Sequence, residues 1–216
     1  MKIALIGYRQ WALDIYEKIA NSYDYEFIRI NSKEEFSLDL IEDFKPDYIL
    51  FYGWSWIINK NLIEKFKCVM LHPSPLPKYR GGSPIQNQII NGETHSAVTI
   101  FLMNEGIDTG PIIKQEPLSL EGTLEEIFAR ITEIGVRLTN FLLDGDFDYQ
   151  DQDDSQATYY ARRKEEESEI TIDEIQEKDS TYLFNKIRML QDPYPKPFIR
   201  TADGKKLYIE KAKIGE

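Results

Sequence analysis

His72 and Asp108 are the residues of this chain whose type and setting suit proton transfer. His72 ends the apolar run Cys68-Val69-Met70-Leu71 and opens a loop with proline at 73, 75, 77 and 84 and glycine at 81 and 82. Imidazole takes or gives a proton near neutral pH. A loop so rich in proline has little conformational freedom to lose, so it can hold a ring rigidly. Asp108 lies in the turn Asn104-Glu105-Gly106-Ile107-Asp108-Thr109-Gly110. Its glycines permit tight turns and close ligand approach, and its carboxylate can orient an imidazole that acts as base or acid.

Other reactive arrangements are weaker. His95, the second of two histidines, precedes a strand and reads as a surface residue. Ser74 lies two residues from His72 on a proline-locked loop, and the chain has no G-x-S-x-G elbow. Gly7-Tyr8-Arg9-Gln10 is not a dinucleotide-binding G-x-G-x-x-G. The single cysteine, Cys68, excludes an internal disulfide and a multi-cysteine zinc site, and no metal is expected.

The elements that must position these residues show in the hydrophobic pattern. Residues 2–7 read as a buried strand ending in Gly7, and residues 10–23 have helical spacing at Trp11, Ile15 and Ile19. A second strand is predicted at 25–30. A helix over 32–44 follows, opened by Ser32 with Glu35 three residues on, the pattern of a capping box. A third strand at 47–53, a short helix at 59–66 and a fourth strand at 67–71 complete the first half. Strands alternating with helices indicate βαβ units, hence an α/β fold with a mostly parallel sheet.

Beyond the proline loop, Pro84 suits the first turn of a helix. Two more strands, 96–103 and 111–120, flank the Asp108 turn. The clearest helix runs from Thr123, boxed with Glu126, to Gly145, and its apolar face from Leu124 to Phe141 reads as core. Residues 146–156 are acidic and polar, a linker or exposed loop. A helix near 180–190 and a hairpin turning at Asp203-Gly204 follow. Residues 1–150 therefore read as a catalytic core, and 151–216 as a small C-terminal appendage for substrate selection or a homodimer contact.

The net charge of −11 argues against nucleic acid as partner, since affinity for phosphate backbones comes from lysine and arginine, although a local basic patch is compatible with it. The chain has no apolar run long enough for a membrane and no signal peptide, which with one cysteine predicts a cytoplasmic protein. In a parallel α/β sheet, ligands bind beyond the carboxyl ends of the strands. Gly7-Tyr8-Arg9, Gly53-Trp54-Ser55-Trp56 and His72 all follow strand ends and should converge on one crevice. Read from its residues alone, the chain is an α/β enzyme with a histidine and an aspartate, its reaction open.

The stretches 72–93 and 96–113 resemble the 10-formyltetrahydrofolate-dependent formyltransferases, through His-Pro-Ser-x-Leu-Pro-x-Tyr-Arg-Gly and the later Asp-x-Gly. The resemblance spans about residues 1–145. It implies a Rossmann-like formyltransferase core, 10-formyltetrahydrofolate as co-substrate, and attack of a substrate amine on the formyl carbon. The family's Asn-x-His pair and turn aspartate carry over to His72 and Asp108, but the asparagine position holds Met70, whose thioether cannot donate a hydrogen bond. It also implies a pterin against Trp54, Ser55, Trp56, Ile57 and Ile58 and against Asn104, Gly106 and Asp108. Arg9 is a candidate for a substrate phosphate, and Tyr79, Arg80 and Gly81 for organising the loop or meeting the substrate. Arg162 and Arg163 are candidates for a substrate pyrophosphate, but the acidic run that follows them favours reading them as solvated charges.

The tail motifs, Tyr-Tyr-Ala-Arg-Arg and Tyr-Pro-Lys-Pro-Phe, most resemble those of nucleotide-sugar N-formyltransferases. The expected acceptor is therefore a UDP- or dTDP-linked 4-amino-4,6-dideoxyhexose destined for O-antigen or flagellin glycans of the pseudaminic acid type. Methionyl-tRNA and glycinamide ribonucleotide are the alternative acceptors. Because of Met70, an inactive folate- or nucleotide-sugar-binding relative is the non-enzymatic alternative.

Overall fold

The computed structural model describes residues 1–215. Its first half is β1 (Lys2–Ile6), α1 (Gln10–Ser22), β2 (Glu26–Ile30), α2 (Leu38–Phe44), β3 (Tyr48–Tyr52), α3 (Lys60–Lys65) and β4 (Cys68–His72). The centre adds β5 (Arg80–Gly81), α4 (Pro84–Ile90), β6 (His95–Leu102), β7 (Ile112–Ser119) and α5 (Leu124–Asp144). The tail contributes β8 (Tyr159–Tyr160), α6 (Ile172–Glu177), α7 (Ser180–Arg188), β9 (Phe198–Arg200) and β10 (Lys206–Tyr208).

Six strands form one sheet in the order β2-β1-β3-β4-β6-β7. The first four run parallel, while β6 pairs antiparallel with β4 and β7 antiparallel with β6. The sheet is thus Rossmann-like and mostly parallel, with an antiparallel edge that strand-helix alternation did not announce. From β1 the chain steps outward to β2, then crosses back to β3 on the other side. That reversal is a topological switch point, where such sheets open a crevice at their carboxyl ends. Tyr16 on α1 closes the sheet beneath it: its buried hydroxyl accepts the Tyr52 N–H at 2.8 Å and reaches the carbonyls of Ile6 and Leu50 at 2.9 and 2.7 Å.

Both faces of the sheet are covered, which is why β1, β3 and β4 are apolar without alternation. One core joins Val69 and Leu71 of β4 to Trp11, Ile15, Ile85, Ile131 and Leu138 on α1, α4 and α5. The other joins Ile6, Phe51, Ile58 and Cys68, with Met70 and Trp54 against it. Side chains alternate along a strand, so Met70 and Leu71 point into opposite cores.

Local signals set α5 well. Thr123 and Glu126 make both bonds of the capping box, and Gly145 ends the helix in the left-handed region at φ 81°. Ser32 and Glu35 make only half of the box: Glu35 N–H donates to Ser32 Oγ, but Glu35 Oε2 takes the N–H of Asn31 instead of that of Ser32, and the segment forms only a turn. The helix starts later, capped by Ser37, which accepts from Leu40 N–H. Capping bonds fix the chain's direction but cannot extend a helix without an apolar face behind them.

The acidic stretch after α5 is no free linker. Gln150 and Ile112 exchange backbone bonds of 2.9 and 2.8 Å, and β8 runs parallel to β5. Met189 and Leu190 join the core beneath α5. Among the described residues, no helix is long and apolar enough to cross a membrane.

Burial pushes the Cys68 thiol up to about 12, so it stays protonated, and unreactive, far above the range of an ordinary thiol. Native protein at pH 8 should resist iodoacetamide and take one label once unfolded, as read by intact mass. Rapid labelling of the native protein would contradict the packing of β4.

Candidate active site

His72 is the last residue of β4 and is 6% exposed. Its Nε2 lies 2.8 Å from the Tyr79 carbonyl. A carbonyl can only accept, so Nε2 carries the hydrogen, and in the neutral ring Nδ1 is an acceptor. Nδ1 lies 3.6 Å from Asp108 Oδ2, too long for a direct hydrogen bond. Two acceptors converge there, which suits a group that brings donors of its own, such as an amine.

Asp108 is pinned on every side. Its Oδ2 accepts the Gly81 N–H at 2.7 Å, and its own carbonyl accepts Gln152 Nε2 at 2.9 Å. Its backbone is left-handed, φ 54°, as are Tyr79 at 59° and Ser83 at 51°. Such conformations are held only where surroundings over-determine them. Here the second wall is the returning tail. A Cβ on Gly81 would meet the Tyr160 carbonyl at 2.4 Å, and one on Gly82 the Arg162 Cα at 2.4 Å. The two glycines after Arg80 let residues 159–162 lie directly on the loop.

Arg80 does not face the crevice. It is fully buried, and its guanidinium bonds Gln152 Oε1 at 2.8 and 3.1 Å, Asp154 at 2.8 Å and the Tyr159 hydroxyl at 2.6 Å. The part of the expectation in which Arg80 meets substrate is corrected: it ties the loop to the tail. Tyr79 is also turned inward, stacked on Tyr160 with ring centres 4.9 Å apart and bonded to Glu93. Their polar groups are consumed within the protein, which side-chain type alone cannot reveal.

A cavity of about 780 Å³ opens beside the pair, in the range of sites for small organic ligands. Arg9, Gly53 to Ile58, Met70, His72, Gly81 and Asn104 to Asp108 all line it, so the strand-end segments do converge. Trp54 stacks edge-on with Trp56 at 4.6 Å, and its buried Nε1 has no partner in the protein. Ile58 is buried, whereas Ile57 is 96% exposed and stands at the rim. Asn104 Oδ1 takes Gly106 N–H and the Thr109 hydroxyl at 3.1 and 2.7 Å, which shapes the turn. Met70 packs beside Leu76, Phe101, Ile112 and Met103, a setting that offers an amide no partner.

Arg162 lines the cavity as well, contrary to its reading as a solvated charge; its Nη2 donates to Ser55 Oγ at 2.9 Å, and Ser55 lies 2.5 Å from the Tyr8 hydroxyl. Arg9 lies over the rings of Tyr8 and Tyr194 at 4.9 and 5.3 Å. Burial acts to raise the Tyr8 hydroxyl, but the Ser55 bond and the charges of Arg9 and Arg162 outweigh it and hold its pKa below the ordinary value. The mouth is thus locally positive on an acidic protein. Arg162 was set aside as a ligand contact because the glutamates that follow it mask the turn of the chain into the site. Gln152 was missed inside a stretch that reads as linker.

The site is a histidine-aspartate pair beside an aromatic cavity at the switch point of a Rossmann-like sheet. The family described as Formyl transferase matches residues 14–139. A methionyl-tRNA formyltransferase of Sulfurimonas denitrificans is 32% identical over 183 residues, 83% of this chain and 57% of that protein. One of Syntrophomonas wolfei is 33% identical over 189 residues, 83% of this chain and 59% of its own. The chain therefore spans little more than half the length of these relatives. The structure of a methionyl-tRNA formyltransferase from Clostridium thermocellum superposes with a TM-score of 0.85 at 34% identity, covering 97% of both chains. This chain belongs to the formyltransferase family, the folate-dependent class that its two motifs implied.

The expected nucleotide-sugar acceptor is overturned by the same findings. A 4-N formyltransferase from Francisella tularensis covers 99% of this chain with a TM-score of 0.79 but is only 20% identical, a likeness of fold alone. The relatives at 32–34% identity are named for methionyl-tRNA. The Tyr-Tyr-Ala-Arg-Arg motif misled because it packs on the proline loop through β8 and the residues after it, a structural part that does not depend on the amine that enters.

Arg80→Leu should lower stability by about 1–3 kcal/mol, since Asp154 and Tyr159 can re-solvate while Gln152 keeps an unmet acceptor. Urea unfolding measures it. Gln152→Leu should act in the same direction. An Arg80→Leu protein as stable as the parent would show that the clamp is not structural.

Proposed function

We propose that this chain transfers the formyl group of 10-formyltetrahydrofolate to the α-amine of an aminoacyl-tRNA, with methionyl-tRNA the acceptor. The observation that carries the chemistry is the pair of acceptors, His72 Nδ1 and Asp108 Oδ2, facing each other across 3.6 Å at the cavity wall. An attacking amine must lose a proton, and that gap holds two groups able to receive its hydrogens. The amine nitrogen bonds to the formyl carbon, and the carbonyl electrons move to oxygen. On collapse the carbon–N10 bond breaks, N10 takes a proton, and a formamide and tetrahydrofolate leave. His72 takes the amine proton at Nδ1, the nitrogen that lies 3.6 Å from Asp108 Oδ2. The imidazolium so formed then donates to the oxyanion or to N10, supplying the donor that Met70 cannot.

The cavity's walls divide the ligands between them. Phe51, Trp54, Ile58, Met70 and Met103 come from one face of the sheet and Trp11, Ile85, Phe128 and Tyr194 from the other. The first bank, with the free Trp54 N–H and the backbone of residues 104–108, suits the flat pterin. The second is left for the acceptor. Arg9 and Arg162 at the mouth suit the phosphates of an acceptor end, a local attraction that the net charge of the chain hides. Residues 151–216 then serve as a wall of the site through residues 159–162, a larger part than a detachable appendage would play.

The test is a coupled assay with 10-formyltetrahydrofolate and charged methionyl-tRNA, following tetrahydrofolate release and formyl-methionine. Transfer is expected. His72→Ala and Asp108→Ala should each lower kcat by about 10²–10⁴ with the circular dichroism unchanged. Folate binding without transfer would support the inactive relative, and turnover on other amines but not methionyl-tRNA would overturn the acceptor. Met70→Asn should change kcat by less than about tenfold, because the apolar packing around residue 70 gives an amide nothing to bond. A rise of about a hundredfold, the usual worth of one oxyanion donor, would mean that the donor is simply missing.

A further inference from the structure

Three consecutive residues of α4 carry side-chain amides, and two of these donate to partners in the protein. Asn87 donates to the Gly82 carbonyl at 2.9 Å. Gln88 donates to the carbonyls of Pro73 and Pro84, both at 2.9 Å, and accepts from Ser96 at 2.5 Å. Gln86 is different. It is 2% exposed and lines the cavity, yet its buried Nε2 has no partner in the protein. Burying an unmatched amide donor is costly. Native proteins keep few of them, and one aimed into a cavity is accounted for by a ligand.

The position defines that ligand. Gln86 lines the cavity next to Ile85, which belongs to the core that holds Trp11, Phe128 and Tyr194, whereas Trp54 and Met70 belong to the opposite core. None of these residues meets the Gln86 N–H, which has no acceptor in the protein. The group that fits is a hydrogen-bond acceptor carried by the amine substrate inside the cavity, away from the phosphates at the mouth. In an α-amino ester that acceptor is the acyl carbonyl, one carbon from the reacting nitrogen. We propose that Gln86 donates its side-chain N–H to the acyl carbonyl of the acceptor, fixing the α-amine against His72 and Asp108 and selecting aminoacyl groups over amines that lack a neighbouring carbonyl. This rests on the proposed acceptor and names the residue that recognises it.

The experiment compares the parent protein with Gln86→Leu, which removes donor and acceptor, and Gln86→Glu, which keeps acceptors and loses the donor. Steady-state assays use charged methionyl-tRNA; calorimetry measures tetrahydrofolate binding to each form. Both variants should raise KM for methionyl-tRNA or lower kcat/KM by about 10- to 100-fold, the usual worth of a hydrogen bond left unmade in a buried site. Tetrahydrofolate affinity should stay within about twofold, a split that general damage to the fold would not produce. Parent-like kcat/KM in Gln86→Glu would overturn the donor role, and parent-like kcat/KM in both would overturn any role for the side chain. Equal loss of folate affinity would move Gln86 to the pterin bank and overturn the assignment. A parent protein that binds tetrahydrofolate but does not formylate methionyl-tRNA would refute the proposed acceptor and this inference with it, whereas an active parent with unaffected variants refutes only the inference.

Discussion

The grip of Arg80 and Gly81 on the Asp108 turn is the constraint from which the rest of the site follows. Two consecutive residues hold that turn by different groups. The Arg80 guanidinium holds Gln152, which bonds the carbonyls of Asp108 and Gly110 at 2.9 and 2.7 Å, while the Gly81 N–H holds the carboxylate itself. The carbonyl of Tyr79, one residue earlier, sets which nitrogen of His72 bears hydrogen. A three-residue strip of backbone thus places both partners of the pair. Left-handed backbone at Tyr79, Ser83 and Asp108 stores strain of about 1–3 kcal/mol per residue, and this lattice of bonds keeps it in place.

The same strip explains why the tail cannot be separate from the chemistry. Strand β8 pairs with β5, and the chain then passes Gly82 closely enough that only glycine fits. Arg162 is thereby delivered to the cavity mouth, where it meets Ser55 from the loop after β3. Two distant segments, after β1 and after β8, supply the arginines of the mouth, and Ser55 after β3 holds the second of them. Net charge describes the whole surface and says nothing of this local field, which falls off over a Debye length of about 8–10 Å in physiological salt.

The sheet gives the cavity its two banks. Alternation along β4 sends Met70 one way and Leu71 the other, and the crevice at the switch point is open to both faces. His72, at the end of the same strand, stands where the two meet. A donor and an acceptor of a transferred group can therefore approach from opposite faces and react at the boundary.

The sequence by itself determined what depends on neighbours in the chain. The strands β1, β3 and β4, the capped helix α5 with its glycine stop, the hairpin at Asp203-Gly204 and the placement of His72 at a strand end are all consequences of periodicity, capping and turn chemistry. The motif pair also led to the family. What only the tertiary structure decided depends on partners far away in sequence. Ser32 and Glu35 form a turn and not a helix, and the helix starts after Ser37. β7 runs antiparallel to β6 because the Asp108 turn between them is too short for a crossover, and β6 itself runs antiparallel to β4, which its apolar composition does not record. Arg80, Gln152 and Arg162 carry the same side chains as any exposed residue; the partners that the fold brings to them make the first two structural and the third a wall of the site. Polar side chains take their role from the acceptors and donors that surround them, and those are set by the fold.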